Sequence, residues 1–446
     1  MAKMKILYII LHIQLFCFSF IKCILEIPLK PLKIQGIPKY KNITVSEPYE
    51  NYKSSNNYSF YEHGNSYING NLLFLATIKL GSNKKEFNLL LDTGSPVFWV
   101  AKNGVTGKNY ITNFFNPSSS TTCNKTTIEL NMKYGTGYCE GFYYMDYVEY
   151  IENKNFYLRF GVASSVEFQV NGADGIIGLT KSYDEKDTSF IHRLKEYKVT
   201  DSTAFSLKFE NEIFSSGVTG KMYIGKHEDF SKSNTVSCPF TSNLNKIFWT
   251  CKLSSFELKG DYYSTKSSRS YSLIFDTGTN RIILPTTYLD DIREDLSDFG
   301  CFIKDNQLYC NYNGDVPNIR FNFNGNTLII PREYAFYQYN SNTLVSLVIF
   351  ENTYPIIGSV FFFLFHTLFD EENEELKFYP LKGELIKGGL SGFVIFLIII
   401  GSILLVAGII YIIYFCIKRR KKTINISDNM LIGDLRQNYY ETLFKT

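Results

Sequence analysis

One short motif occurs twice in the chain, and this repetition constrains the fold more than any other feature. The segments "LLLDTGSPVF" (89–98) and "SLIFDTGTNRIILP" (272–285) each place Asp-Thr-Gly directly after an apolar run, with the two aspartates 184 residues apart. A second landmark follows each of them at a nearly equal interval, "ADGIIGL" and then "YPIIGSVF". A single Asp-x-Gly is a common turn. Two landmarks in the same order predict a duplicated lobe of about 170 to 180 residues.

The residue composition predicts a mainly β fold. Aromatic residues make up 16% of the chain, and Tyr and Phe are among the residues that favour strands. Segments such as "LLFLATIKLGSNKKEFNLLLDTG" read as strand, turn and strand, whereas helical patterns are few and short. We therefore predict a bilobal β protein with an N-terminal lobe at 67–200 and a C-terminal lobe at 201–380, related by a pseudo-twofold axis. The net charge of +3 is small and favours no nucleic-acid partner.

The N-terminal end has the features of a secretory signal. Lys3 and Lys5 precede an uncharged, largely apolar stretch from Ile6 to Phe20, which predicts a signal peptide at 1–23. An uncleaved signal anchor is the alternative interpretation. Residues 41–66 are polar and rich in turn-forming residues, and with the preceding "ILEIPLKPLKIQ" the stretch 24–66 is interpreted as a pro-segment or linker.

The C-terminal end predicts one membrane-spanning helix. Residues 393–416 contain no charge, and at about 1.5 Å per residue they are long enough to cross a hydrocarbon core of about 30 Å. "KRRKK" follows at once, so the positive-inside rule places the tail (417–446) in the cytoplasm. Residues 381–392 form a linker. We expect a single-pass type I membrane protein whose lobes lie in the secretory or endolysosomal lumen or at the cell surface.

The cysteine pattern fits an oxidising compartment. Six of the nine cysteines fall in the predicted lobes as near neighbours in sequence. Six cysteines allow fifteen connectivities. Pairing over short loops is the simplest, and it predicts the disulfides Cys123–Cys139, Cys238–Cys251 and Cys301–Cys310. No pair has metal-ligand spacing with the five histidines, so neither a metal site nor a cofactor is expected.

The two repeated aspartates suggest a chemistry. Each follows a buried strand, so a pseudo-twofold axis would bring Asp92 and Asp276 together at the lobe interface. Two carboxylates this close cannot both ionise cheaply, so the pair holds one proton. The ionised member takes a proton from water while the protonated member donates to a carbonyl oxygen. The alternative interpretation is that each Asp only caps a turn.

The residues around each aspartate fit this arrangement. Ser95 and Thr279, each three residues past its Asp, are expected to hydrogen-bond the carboxylates. Thr93 and Thr277 are expected to join the two turns. The glycines of the two motifs, Gly94 and Gly278, let the backbone pass close to another group.

With these motifs the chain resembles the pepsin-like aspartic endopeptidases, the family of pepsin, cathepsin D, renin and the plasmepsins. The resemblance covers about 67–380, and the paired aspartates of that family are the usual example of a shared proton. It implies that Asp92 and Asp276 are catalytic. It also implies that "MKYGTGYCEG" is the flap hairpin over the cleft. The flap and substrate-binding residues implied by the resemblance are Tyr134, Gly135 and Thr136, with Trp99 packed near Tyr134.

The resemblance implies an aspartic endopeptidase that acts on polypeptides, and we expect a monomer. The membrane anchor is predicted from the C-terminal apolar segment and departs from a cathepsin-D-like mature enzyme. The Asn-, Lys- and Tyr-rich composition favours a protozoan, plasmepsin-like member. The alternative function is a catalytically silent pepsin-fold ectodomain that binds extended peptides or acts in adhesion. Two positions depart from the family pattern, Pro96 after the first motif and Ser359 in "IIGSVF".

Overall fold

The computed structural model describes ten segments of the chain: 25–33, 72–107, 111–135, 137–151, 154–168, 172–181, 189–209, 220–241, 247–388 and 400–419. The signal peptide, most of the pro-segment, Thr136 and the tail beyond residue 419 lie outside these residues. Met1–Lys387 and Gly388–Thr446 are two separate compact units.

The described residues form 25 strands, here numbered in chain order. They are β1 (Leu25–Lys33), β2 (Leu72–Leu80), β3 (Lys85–Asp92), β4 (Trp99–Thr106), β5 (Asn124–Tyr134), β6 (Gly137–Ile151), β7 (Lys154–Glu167), β8 (Gly175–Gly178), β9 (Phe205–Phe209), β10 (Gly220–Ile224), β11 (Val236–Pro239), β12 (Thr250–Lys259), β13 (Ser264–Ser267), β14 (Tyr271–Phe275), β15 (Ile282–Leu284), β16 (Cys301–Lys304), β17 (Gln307–Asn311), β18 (Asn318–Phe323), β19 (Asn326–Ile330), β20 (Phe336–Asn340), β21 (Thr343–Phe350), β22 (Ile356–Ile357), β23 (Phe365–Asp370), β24 (Glu375–Pro380) and β25 (Glu384–Ile386).

Among the described residues of the first unit, the helices are short. They are α1 (Phe190–Glu196), α2 (Thr287–Ile292), α3 (Arg332–Ala335) and α4 (Ser359–Leu364), with 3-10 turns at Pro117–Ser119, Glu228–Ser231 and Glu294–Ser297. A fifth helix, α5 (Ile400–Arg419), lies in the second unit.

The strands form two large sheets. One has 13 strands in the order β11-β24-β23-β9-β10-β1-β2-β3-β8-β4-β7-β6-β5. The other has 12 strands, in the order β16-β17-β21-β15-β22-β14-β12-β18-β19-β25 with β13 and β20 at its side. This mainly β, two-lobed architecture confirms the predicted fold class.

The internal repeat is visible in the strand pairing. The run β3-β8-β4-β7 in the first sheet has the same order and directions as β14-β22-β15-β21 in the second. In both runs the strand before Asp-Thr-Gly pairs in parallel with the strand of the Ile-Ile-Gly landmark. Asp92 and Asp276 therefore stand at equivalent strand ends.

The glycine of each second landmark is required by a close backbone contact. A Cβ on Gly178 would lie 2.3 Å from the backbone N of Val97, and a Cβ on Gly358 would lie 2.1 Å from the backbone O of Arg281. Real Cβ atoms do not approach so closely. Each glycine therefore lets the chain that leaves an Asp-Thr-Gly turn pass over it.

Strand β1 comes from the segment predicted to be a pro-segment. It pairs with β10 on one side (Leu25↔Ile224) and with β2 on the other (Leu29↔Ala76). Residues 25–33 therefore fill an interior position of the 13-stranded sheet. The removable segment itself (24–66) stays a prediction.

Two buried apolar clusters support the two sheets. The larger extends through both sheets, from Phe74 and Phe87 in the first to Phe275 and Phe321 in the second. The smaller lies under the hairpin of β5 and β6 and includes Trp99, Leu130 and Cys139. The flap hairpin is therefore seated on apolar side chains.

Two of the three predicted disulfides are present, Cys238–Cys251 and Cys301–Cys310. The third, Cys123–Cys139, is wrong, because both residues are free thiols. Strand register explains the error: Cys139 is opposite Met132, whereas Cys123 directly precedes Asn124, which is opposite Met145. The two thiols are thus separated by about seven residues of β6, or about 24 Å at ~3.4 Å per residue, far beyond the reach of a disulfide.

The second unit contains an exposed apolar helix. Its described part, α5, has 20 residues and is long and apolar enough to cross a membrane. It extends to Arg419, three residues beyond the predicted end at Cys416. Residues 389–399, which include the predicted start of the span at Phe393, lie outside the described residues.

A buried polar cluster occupies one face of the 13-stranded sheet. His366 on β23 lies 3.0 Å from a carboxylate oxygen of Asp229 through Nδ1 and 2.9 Å from Ser206 Oγ through Nε2. Lys208 and Lys232 form ion pairs with the same carboxylate. The hydrogen bond from His366 and these ammonium groups hold the pKa of Asp229 well below its usual range. Because this carboxylate only accepts, Nδ1 carries the proton of a neutral His366.

We expect His366 to make the fold less stable in acid. Burial lowers its pKa to about 4, against about 6.5 in the unfolded chain. The neutral ring thus stabilises the fold fully above about pH 6.5, and this contribution is lost as the pH falls toward 4. The substitution His366→Gln removes the titration. Between pH 7 and pH 4 the unfolding free energy of the wild type should fall by up to about 3 kcal/mol relative to this variant, measured by urea unfolding and tryptophan fluorescence.

The partly exposed His192 on α1 provides the matched control, His192→Gln. A His366→Gln protein that loses stability toward pH 4 as steeply as the wild type would contradict this assignment.

Candidate active site

The two Asp-Thr-Gly turns are joined by four reciprocal hydrogen bonds. The backbone N–H of Thr93 donates to Thr277 Oγ1 (3.1 Å), and the N–H of Thr277 donates to Thr93 Oγ1 (3.0 Å). Each hydroxyl in turn donates 2.8 Å across to a strand of the other repeat, Thr93 to the carbonyl of Phe275 and Thr277 to that of Leu91. Both threonines are fully buried. The turns are therefore locked together in a fixed geometry.

This lock places each carboxylate against the glycine of the opposite turn. A Cβ on Gly94 would lie 2.6 Å from Cγ and Oδ1 of Asp276, and a Cβ on Gly278 would lie 2.6 Å from Oδ1 of Asp92. Any side chain at either glycine would therefore overlap a carboxylate. The glycines are required by the close approach of the two acids.

The hydrogen bonds to the two carboxylates are only partly symmetric. Gly94 N–H donates to Asp92 Oδ1 and Gly278 N–H donates to Asp276 Oδ1, both at 2.8 Å. Thr279 Oγ1 also donates to Asp276 Oδ2 at 2.6 Å. Its counterpart Ser95 is buried beside Asp92, but its hydroxyl makes no well-directed hydrogen bond to any described residue. The Asp276 carboxylate is thus the more firmly oriented of the two.

The environment of Asp92 favours its protonated form. Burial raises the pKa of Asp92 well above its usual range, and the nearby charge of Asp276 raises it further. Asp92 is 6% exposed, whereas Asp276 is partly exposed. A proton shared by the pair is therefore retained well above the pH at which an ordinary aspartate ionises.

The flap residues lie on the hairpin of β5 and β6. Tyr134 ends β5 opposite Gly137, and its hydroxyl accepts a 2.8 Å hydrogen bond from Trp99 Nε1. Gly135 is exposed at the turn. At Gly137 a Cβ would lie 1.9 Å from the backbone O of Glu167, so this glycine allows the hairpin to pack on β7. Thr136 lies outside the described residues.

Cys139 is a flap-side residue whose place the disulfide prediction missed. Tyr134, Gly137 and Cys139 share one face of the hairpin, and Gly137 offers no side chain between the other two. Burial raises the pKa of the Tyr134 hydroxyl well above its usual range, so the phenol stays protonated as a hydrogen-bonding group. The alternation of side chains across the Gly-Thr-Gly turn is the sequence signal that could have indicated this position.

Among the described residues, one group has metal-ligating side chains close together: His227, Asp229 and His366. It belongs to the polar cluster described above and not to the paired aspartates. Its carboxylate already accepts the ammonium groups of Lys208 and Lys232. These two cations disfavour a metal ion there.

Comparison with known proteins agrees with this geometry. Residues 73–381 match the family model described as eukaryotic aspartyl protease. Pepsin II-1 of Oryctolagus cuniculus is 25% identical over 323 residues, which cover 68% of this chain and 79% of that protein. Gastricsin of Homo sapiens is 26% identical over 326 residues, which cover 68% and 80%.

A fungal protein is similar over a shorter stretch. Vacuolar protease A of Aspergillus fumigatus is 25% identical over 280 residues, which cover 59% of this chain and 67% of that protein. The plasmepsin-like subtype stays a prediction beside these animal and fungal relatives. Because the family model spans more than half of the chain, the chain belongs to the eukaryotic aspartyl proteases, the pepsin-like family that its motifs resemble.

Proposed function

We propose that the chain is a membrane-anchored aspartic endopeptidase in which Asp92 and Asp276 share one proton and activate water against a peptide bond. The observation that carries the proposal is the mutual approach of the two carboxylates, each packed on the glycine of the opposite turn. The buried threonine hydrogen bonds hold this approach in place. The raised pKa of Asp92 supports a protonated partner at acidic to neutral pH.

In the proposed mechanism the two aspartates have different roles at the start of the reaction. Asp92 holds the proton and donates it to the carbonyl oxygen of the scissile bond. Asp276, ionised and oriented by Thr279, takes a proton from a water molecule between the carboxylates. The water attacks the carbonyl carbon to give a tetrahedral gem-diol. Its collapse transfers a proton to the leaving amine and restores the singly protonated pair.

The flap would complete the site around an extended peptide. A β-hairpin over a cleft binds peptide main chain in strand form and excludes water. The hydrogen bond from Trp99 holds the Tyr134 ring on the cluster that also contains Leu130 and Cys139. We propose that Gly135 and Thr136 supply the backbone contacts to the substrate.

We propose that α5 anchors the protein as a single-pass type I membrane protein. Its described part is apolar along 18 residues and ends at Lys418 and Arg419, whose charges favour the cytoplasmic side. The catalytic unit would then face the lumen of the secretory or endolysosomal system or the cell exterior. The name of one relative, vacuolar protease A, fits such a compartment.

Replacing one aspartate tests the proposed chemistry. Asp276→Asn keeps the shape of the side chain but removes the proton acceptor, so kcat/KM for a protein substrate should fall by about 10²-fold to 10⁴-fold or more. The measurement is cleavage of a protein substrate by the full-length chain in detergent at pH 5. The same loss is expected for Asp92→Asn.

The exposed Asp298 in the same lobe offers a matched control, Asp298→Asn, which should cleave at the wild-type rate. Cleavage that persists unchanged in Asp276→Asn would refute the catalytic role and favour a silent, peptide-binding ectodomain.

The pH dependence of cleavage follows from the shared proton. Activity requires one proton on the pair, so kcat/KM should fall in strong acid, where a second proton binds. It should fall again as the pH rises through the raised pKa of Asp92, where the last proton leaves. A profile from pH 2.5 to 9.5 should be bell-shaped, with higher activity at pH 4 to 6.5 than at pH 9. Activity that continues to rise above pH 9 is incompatible with the mechanism.

A further inference from the structure

Arg281 forms no ion pair with any residue that the structure describes. Its Nη1 atom is buried and has no hydrogen-bond partner among the described residues. The contact that the guanidinium does make is with the ring of Tyr337, whose centroid lies 5.7 Å from Cζ. Arg269 and Arg332, in the same lobe, are instead paired with Asp291 and Asp261. A buried N–H without an acceptor is costly, so this donor is suited to a ligand.

Sheet topology places Arg281 at the edge that carries Asp276. β14 ends just before Asp276 and is parallel to β22, whereas β15 begins just after Arg281 and is antiparallel to β22. The end of β14 and the start of β15, and with them Asp276 and Arg281, therefore lie at the same end of the strands. The loop between them is fixed by a 2.7 Å hydrogen bond from the Ser359 N–H to the Thr279 carbonyl.

Tyrosine side chains extend from this edge beside Arg281. β21 is parallel to β15 with Ile282 opposite Val348, so its earlier residues, including Val345, continue past the start of β15 on the Asp276 side. Tyr309 on β17 and Tyr337 on β20 flank Val345. Tyr339 packs edge-on against Tyr309 and is 40% exposed. We call Arg281, Tyr309, Tyr337 and Tyr339 the arginine–tyrosine wall.

The electrostatics agree that these groups are neighbours. Burial raises the pKa of the Tyr309 hydroxyl, the nearby tyrosines add to the rise, and the positive charge of Arg281 opposes it. The charge of Asp305 also raises the pKa of Tyr309, but Asp305 lies at the turn before Gln307, at the end of β17 that is farther from Asp276. Asp305 forms no ion pair with Arg281.

We propose that the arginine–tyrosine wall is a substrate subsite for an acidic side chain, Glu or Asp, near the scissile bond. The inference rests on the proposed endopeptidase function and adds a substrate preference to it. The guanidinium supplies a planar fork of N–H donors that matches a carboxylate, and the phenol rings pack against the methylene groups of Glu. Successive side chains of an extended peptide point to opposite sides, so the neighbours of the residue on this wall point away from it. One position should therefore dominate the preference.

The test compares matched peptides that differ at one position. Glu, Gln or Lys is placed in turn at each of four positions on either side of the cleaved bond, and full-length protein in detergent is assayed at pH 6. At one position the wild type should prefer Glu over Gln by about tenfold to a hundredfold, mainly through KM. Arg281→Met should abolish this preference while still cleaving the Gln peptide. Arg281→Lys should keep part of it.

Arg293→Met is the matched control, because Arg293 is exposed in the same lobe and should leave the preference intact. Equal cleavage of Glu and Gln peptides at every position, or a preference that survives Arg281→Met, would overturn the subsite.

A binding measurement separates this inference from the proposed function. The Asp276→Asn chain is titrated with the same fluorescent peptides and read by anisotropy, so no turnover is needed. Tighter binding of the Glu peptide, lost in the double variant with Arg281→Met, supports the subsite even if the wild type cleaves nothing. Equal binding of the Glu and Gln peptides would refute the subsite while leaving the catalytic proposal standing.

Discussion

The hydrogen bonds between Thr93 and Thr277 are the interaction on which the rest of the site depends. Each threonine satisfies the backbone of the other turn and reaches a strand of the other repeat, and both are fully buried. In such surroundings an unmade hydrogen bond is expensive. The two halves of the site are therefore held in a single relative position.

That fixed position turns two ordinary turns into one acid–base centre. Without it, Asp92 and Asp276 would each cap a strand end. With it, each carboxylate lies on the glycine of the opposite turn, and burial, followed by the nearby charge of Asp276, raises the pKa of Asp92. The hydroxyl of Thr279 orients Asp276, while Ser95 leaves Asp92 less constrained. A nearly symmetric frame thus surrounds two carboxyl groups with unequal roles.

The sequence revealed the repeat and its strand ends, because buried strands, turn residues and glycines are local signals with fixed spacing. The pairing of Cys123 with Cys139 was predicted wrongly for the opposite reason. Nearness in sequence does not measure distance within a hairpin, where strand register separates the two thiols. The neighbours of Arg281 could not be predicted from the sequence either, because Tyr309 and Tyr337 come near it only through the pairing of β17, β20 and β21.

Strand β1 has a consequence for any processing of the N-terminal segment. It lies between β10 and β2, so its removal would leave both of these strands with an unpaired edge in the middle of the sheet. Bare edges recruit other strands and promote aggregation. After a cut in the connection between residues 33 and 72, β1 would therefore still be hydrogen-bonded to β10 on one side and to β2 on the other. Cleavage of the chain and dissociation of β1 from between β10 and β2 are, for this protein, two separate events.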